Sequence, residues 1–548
     1  IGAVPHTGGN LMKRDSPFYQ TLVSWIRDGA NDDAGEIPKP TGIEVRPKQL
    51  LLTGSDVRVP FTVRASYSDG TDRDVTTLST FSSSNDNSVS IKAREGLAAS
   101  KNRGEAFLLA RFHTFTEGSQ AIVVPADLAY TRPEFPAFNY VDTHVAEKLN
   151  KLRIIPSGLT DDEPFLRRVF LDIVGVPPTV TERQKFLADT RPDKRGLLVD
   201  DLLGRKEFTE MWVMKWAELM QIRTFNNGSQ QVSYKAALNY YQWLRERIAG
   251  NVPFNELVRQ LLSAKGGTFS SPATNFFQIE QDVLKLTENV AQVFMGTRIQ
   301  CAQCHNHPFD RWTMDDYYSF ASFFAQVKRK PAEDPRERVI YDEGGELKNP
   351  VSKLDMIPKF LGGPQPDLAG RSRREAVAGW LASPENPWFA RNVVNIVWAH
   401  FNGVGIVDPV DDVRVSNPPS NPELLDALAG GADSPRLLLV DAAYRNPTLA
   451  RFGVRFSNAA GAYDRHNQHL FTSPAFELQR QGTPGTVDAI PFLIEAADAR
   501  NIMARGIRME ACSPFVARHS GGANDCVYEV AYTGTYAFTG NGIDYTAG

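Results

Sequence analysis

Apolar residues alternate at a period of two through Val57–Ala65, whereas from about residue 138 they recur at three-to-four spacing. The first period suits a pleated strand with one buried face, the second a helix with one apolar stripe. Neither pattern can be satisfied by the other element, so the chain cannot be a single uniform layer. The expected architecture is multidomain and mainly α-helical, with an all-β sandwich on the N-terminal side. A length of 548 residues agrees with this, because single hydrophobic cores stop growing beyond roughly 250–300 residues.

The β segment spans about 42–126. Ser68-Asp69-Gly70-Thr71 supplies the Asp-Gly turn that a tight hairpin needs, and short strands follow at Val89–Ile91, Ala106–Ala110 and Ala121–Val124. Tyr67-Ser68-Asp69-Gly70 followed by Asp74-Val75-Thr76 resembles the bacterial immunoglobulin-like group 2 domain. That resemblance implies an immunoglobulin-like sandwich serving as a spacer, or contacting glycans or neighbouring proteins at the cell surface.

Helical pattern runs from 138 to 330. Acids open a helix at Asp161-Asp162-Glu163, Val176-Pro177-Pro178 ends it, and Thr179 or Thr181 can cap the next. Further helices are expected at Leu197–Leu203, Met211–Met220, Tyr234–Ile248 and Phe254–Leu262. Trp212, Trp216, Tyr241 and Trp243 read as core. A helix over Leu286–Gln300 would deliver Cys301 near its end, and another begins at Asp315-Asp316. The Pro- and charge-rich stretch 331–369 reads as a linker, and helices resume in 370–429 at Arg373–Leu381 and Phe389–Phe401.

The chemistry concentrates in Cys301-Ala302-Gln303-Cys304-His305. Two thiols at this spacing can each add to a haem vinyl group while the adjacent histidine ligates the iron. Cys301 and Cys304 would be the thioether anchors of a haem c and His305 its proximal ligand. Met314 and His400 are candidates for the second axial position, with His400 equally readable as a packed core histidine. Zinc or non-haem iron is the alternative, held by His305 and His307 with the thiolates and a distant ligand. A Cys301–Cys304 redox disulfide and a purely structural knot also stay open. No Ser-His-Asp order, phosphate-binding glycine loop or paired-carboxylate site stands out, so no catalytic residue is assigned.

The longer run Gln300–Trp312 resembles the signature of the planctomycete cytochrome-associated domain of unknown function that is named for its cysteine-histidine motif. Phe165–Thr179, Pro192–Arg195 and Glu288–Gly296 are similar to the same family. Trp380–Arg391, Val397–Phe401, Asp408–Arg414 and Asn417–Asp426 resemble its companion domain. Residues 1–30, with Val4–Gly9 and the Trp25 helix ending at Gly29, are similar to the end of a planctomycete-type cytochrome c domain. The resemblance implies an exported protein, periplasmic or at the cell surface, with its export signal upstream of Ile1. It implies no particular reaction; the haem c reading of Cys301, Cys304 and His305 leads instead to the expectation of electron transfer or haem-dependent redox chemistry with a partner protein.

Beyond Ala429 the family pattern stops. Residues 430–548 form a divergent Gly/Tyr/Thr-rich tail, either a replacement of the companion domain or the product of a lost reading frame. Its Cys512 and Cys526 can pair in an oxidising compartment, and His466, His469 and His519 lack metal-ligand spacing. The 60 basic and 64 acidic residues are dispersed, which gives no basic stripe for nucleic acid. No apolar run reaches the roughly 20 residues of a membrane span.

Overall fold

The computed structural model describes residues 14–32, 35–134, 137, 139–225, 230–307 and 310–430. Beyond them it describes four short strands, Ile507–Glu510, Val527–Val530, Tyr536–Gly540 and Ile543–Ala547. Val4–Gly9, Cys512, Cys526, His466, His469 and His519 lie outside the described residues. The N-terminal region is built of strands in sheets and is followed by many helices, the mixed multidomain layout expected.

The first helix, α1 (Pro17–Arg27), is capped by Ser16 and followed by Gly29 at φ +99°. The β unit then contains β1 (Pro40–Arg46), β2 (Gln49–Thr53), β3 (Arg58–Pro60), β4 (Thr62–Tyr67) and β5 (Asp72–Asp74). It continues with β6 (Thr80–Ser83), β7 (Val89–Ile91), β8 (Leu97–Ser100), β9 (Gly104–Phe112) and β10 (Phe115–Val124). They form sheets of order β1-β4-β5, β2-β10-β9-β6 and β3-β8-β7. Between β4 and β5, Gly70 takes φ +80° while Asp69 Oδ1 accepts from the Thr71 N–H, as an Asp-Gly turn requires.

The strand expected over Val57–Ala65 is in fact two. Pro60 has no N–H to offer a ladder, and the chain changes partner there: β3 pairs with β8, while β4 pairs with β1. Alternation survives the break, with Val63 and Ala65 facing inward beside Phe61, Phe81 and Leu108 in the core of this unit.

The helical unit comprises α2 (Tyr140–Leu152), α3 (Asp162–Val174), α4 (Val180–Ala188), α5 (Lys194–Leu203), α6 (Lys206–Leu219), α7 (Tyr234–Ala249) and α8 (Phe254–Ser263). After these come α9 (Phe276–Ile279), α10 (Val283–Met295), α11 (Met314–Ala321), α12 (Arg373–Leu381), α13 (Phe389–Asn402) and α14 (Pro422–Gly430). Thr179, not Thr181, caps α4, through a capping box with Glu182. One continuous core runs from Val141 on α2 to Leu428 on α14, with Trp212, Trp216 and Trp243 buried in it.

Two expectations are corrected here. Residues 331–369 are not a loosely packed linker. The hairpin of β12 (Val327–Pro331) and β13 (Arg338–Asp342) pairs with β11 (Gly266–Gly267). Ile340, Met356 and Leu361 enter the same core as the helices on either side. The charge-rich composition hid this because only alternate or isolated residues face inward. Arg374 reinforces the junction: its buried guanidinium donates to Asp342 Oδ1 at 2.7 Å and to the Ala264 carbonyl at 2.6 Å.

The helix expected over Leu286–Gln300 stops at Met295. Gly296 adopts φ +65°, a left-handed C-cap, and its carbonyl accepts the Val413 N–H at 2.7 Å. A Cβ at Gly296 would fall 2.6 Å from Asn392 Oδ1, so both the conformation and the close approach demand glycine.

The two units are docked against each other. Lys148 Nζ on α2 lies 2.6 Å from both carboxylate oxygens of Glu105 on β9. Arg103 donates to the Leu152 and Arg153 carbonyls at the end of α2. Among the described residues no helix is long and apolar enough to cross a membrane.

Candidate functional site

After Gly296 the chain runs through Arg298, whose guanidinium meets Asp411 at 2.6 Å, to the buried Ile299. It then enters a 3₁₀ turn, Gln300–Gln303. Ala302 is fully buried, and its N–H donates to the Ile299 carbonyl at 2.9 Å. With Ala302 as the inward anchor, Cys301, Cys304 and His305 are left exposed. Both thiols are unbonded. From α11, the Tyr318 hydroxyl donates to the Gln303 carbonyl at 3.2 Å and pins the turn between its two cysteines.

His305 Nδ1 lies 2.8 Å from the Asn306 carbonyl oxygen. A carbonyl only accepts, so Nδ1 carries the hydrogen and the neutral ring keeps its lone pair on Nε2. That tautomer is the one an imidazole needs to ligate a metal through Nε2 while its other nitrogen is oriented by a carbonyl. Asn306 also accepts the Met314 N–H at 3.2 Å through its side chain. The thiols, the imidazole and its tautomer therefore fit covalent haem attachment at this turn.

His307, only two positions on, points the other way. It is 4% exposed, and its backbone N–H donates to the Trp312 carbonyl at 2.7 Å. Burial, and then the nearby Arg414 cation, hold its pKa below the usual histidine value, with Asp412 opposing them. Asp310 is also buried, and that burial raises its pKa even though it accepts the Arg311 and Val415 N–H groups. The structure thus places His305 and His307 in different environments. Among the described residues no three His, Cys, Asp or Glu side chains group so as to hold a metal ion.

The residues following the motif serve packing and capping. Arg311 lies over the rings of Trp312 and Trp388, and these two rings are 5.9 Å apart. Thr313 caps α11 in a capping box with Asp316. Of the two axial candidates, Met314 occupies the first position of α11, half-buried against the helical core. His400 is a packing histidine. Its Nε2 is 2.8 Å from the Asp172 carbonyl on α3, and its ring lies 4.9 Å from that of Trp212.

Several residues that hold the motif in place carry no mark in the sequence. Tyr318 is one of three aromatics in α11, with nothing local to single it out, whereas Asn306 falls within the Gln300–Trp312 run. Arg414 salt-bridges Asp412 at 3.0 Å and faces His307 and Asp310 from more than a hundred positions away. Arg111 of β9 reaches the His307 carbonyl at 3.5 Å. Short-range sequence spacing carries no signal for such partners.

No curated protein sequence matches the chain. Residues 140–329 match the family model PSCyt2, protein of unknown function (DUF1549), and residues 373–431 match PSD1, protein of unknown function (DUF1553), consistent with the planctomycete domain pair.

Proposed function

We propose that Cys301, Cys304 and His305 form the attachment site of a c-type haem, and that the protein works outside the cytoplasm in electron transfer or related redox chemistry. One observation carries the reading: both thiols and the imidazole are exposed on a single turn that is anchored inward by Ala302, the buried one of the two residues between the cysteines. An exposed pair of thiols can be reached by a bulky group without unfolding the core. When bound, the haem supplies a one-electron couple at its iron.

This chain's own residues do the positioning. His305 presents Nε2 because the Asn306 carbonyl holds Nδ1–H. Tyr318 and Ala302 fix the turn, so the thiols and the imidazole keep their mutual placement. Met314, beginning α11 beside Asn306, is the remaining local candidate for a second ligand, since His400 is committed to α3. The docked β unit supports the role of a fixed spacer, and a redox protein is the partner this reading requires. The test is a pyridine haemochrome spectrum of protein exported and matured with the c-type haem machinery. A c-type band lost in Cys301→Ala/Cys304→Ala supports the reading, and folded, matured protein without a band refutes it.

A further inference from the structure

We infer that His113, in the turn between β9 and β10, is the second axial ligand of the haem proposed at His305. The inference rests on that haem reading and deepens it, because the second imidazole comes from the β unit and not from the helices around the motif.

Among the described residues, His113 and His305 are the two exposed histidines; His307 is buried, and His144 and His400 are half-buried on helices. One guanidinium brings their backbones together. Arg111 Nε lies 3.4 Å from the His113 carbonyl oxygen, and Arg111 Nη2 lies 3.5 Å from the His307 carbonyl oxygen. His305 stands two residues before His307, on the exposed side of the same loop.

The strand explains the meeting. Along β9, Ala106, Leu108 and Ala110 enter the core of the β unit, which turns the alternate residues to the opposite face. On that face Glu105 meets Lys148 of α2, and Arg111 reaches the motif loop. β9 therefore lies along the helical unit, and the turn that follows it ends beside the motif.

That turn is built around the imidazole. Phe112 pairs with Phe115, which leaves His113 and Thr114 as a two-residue loop. His113 takes φ +55°, and a positive φ at the first loop position favours glycine. A histidine there strains the backbone, and strain of this kind gathers at ligand clamps. The Thr114 hydroxyl lies 3.2 Å from His113 Nδ1. By accepting Nδ1–H it supports the tautomer with its lone pair on Nε2, the arrangement that the Asn306 carbonyl imposes on His305. Ligation through two neutral Nε2 atoms moves no proton and no electron. Met314, by contrast, is half-buried against the helical core.

The experiment takes the full chain, exported and matured with the c-type haem machinery. A pyridine haemochrome spectrum replaces the axial ligands and so reads attachment alone; EPR and visible spectra of the ferric protein then read the ligands. The native sequence should be low-spin, with the signature of two imidazoles and without a methionine-to-iron band. His113→Gly suits the positive φ and so spares the turn. It should lose the low-spin signal, and free imidazole in the buffer should restore it. Met314→Leu should leave the native spectrum unchanged. A His113→Gly protein with the native low-spin spectrum would overturn the inference, while its haemochrome band would leave the haem reading standing. Loss of the low-spin signal in Met314→Leu and not in His113→Gly would overturn it likewise. Folded, matured protein with no haemochrome band refutes the haem reading itself, and the ligand assignment falls with it.

Discussion

The Tyr318 hydroxyl reaches across from α11 to the carbonyl of Gln303, 3.2 Å away, so one hydrogen bond anchors one of the two residues between the cysteines. Tyr318 is itself 7% exposed and packs edge-on to Tyr317, whose hydroxyl donates to Glu288 on α10 at 2.9 Å. The turn is therefore held by the helices on both sides of it. Tyr318→Phe keeps the packing and removes only this bond. It should cost about 0.5–1.5 kcal/mol of stability and speed alkylation of Cys304 in the folded protein. Unchanged alkylation rates would show that the bond does not constrain the turn.

His400 predicts a pH dependence. Burial foremost, and then the Lys215 cation, depress its pKa below 6.5, while its Nε2–H donates to the Asp172 carbonyl. Between its folded and unfolded pKa values the unfolded chain holds more protons, so stability falls as pH drops below about 6.5. The slope from this one group is at most about 1.4 kcal/mol per pH unit. Urea denaturation at pH 7 and pH 5 should show a steeper loss for the native protein than for His400→Gln. Parallel losses would mean that His400 does not set the acid limb of stability.

The segment between the two helical stretches carries its own prediction. Arg374 has a side chain 1% exposed, bonded to Asp342 and the Ala264 carbonyl and stacked over Phe277. Arg374→Ala should cost about 3 kcal/mol or more, because breaking a buried pair leaves groups without compensation. Lys265, 42% exposed on the same Asp342, should cost less than about 1 kcal/mol when replaced by alanine. Similar denaturation midpoints for the two variants would contradict the burial of Arg374 in a shared core.

Docking of the β unit should be measurable as coupling. Glu105 and Lys148 have side chains only 19% and 15% exposed and meet at 2.6 Å. A double-mutant cycle of Glu105→Gln and Lys148→Met should give a coupling of about 1 kcal/mol. Faster proteolysis between residues 125 and 139 should accompany it. Zero coupling would mean that the two units are held by other contacts.

Regular elements are readable where a local signal exists. The Asp69-Gly70 turn demands positive φ, and α12 lies at Arg373–Leu381, where the helical period places it. The 3₁₀ turn is less legible. Gly296 signals a helix end, but the apolar period continues through Ile299 and masks it. The hairpin at 327–342 escapes a sequence reading because Lys328, Arg329 and Lys330 make its composition look solvated, although Arg329 spends its guanidinium on the Phe277 and Glu280 carbonyls. Opposite burial of His305 and His307 is also invisible, since an irregular turn has no fixed period from which to read sides. The cysteines themselves are fully legible, whereas the residues that hold them come from Arg111 to Arg414 and meet only in the fold.

Covalent haem at Cys301 and Cys304 can be weighed outright. Intact-mass spectrometry under denaturing conditions does this on protein exported with the c-type maturation machinery, beside Cys301→Ala/Cys304→Ala. One haem mass should be retained through denaturation by the native sequence and be absent from the double variant. Folded, matured protein whose mass equals that of the polypeptide alone would contradict haem attachment at this turn.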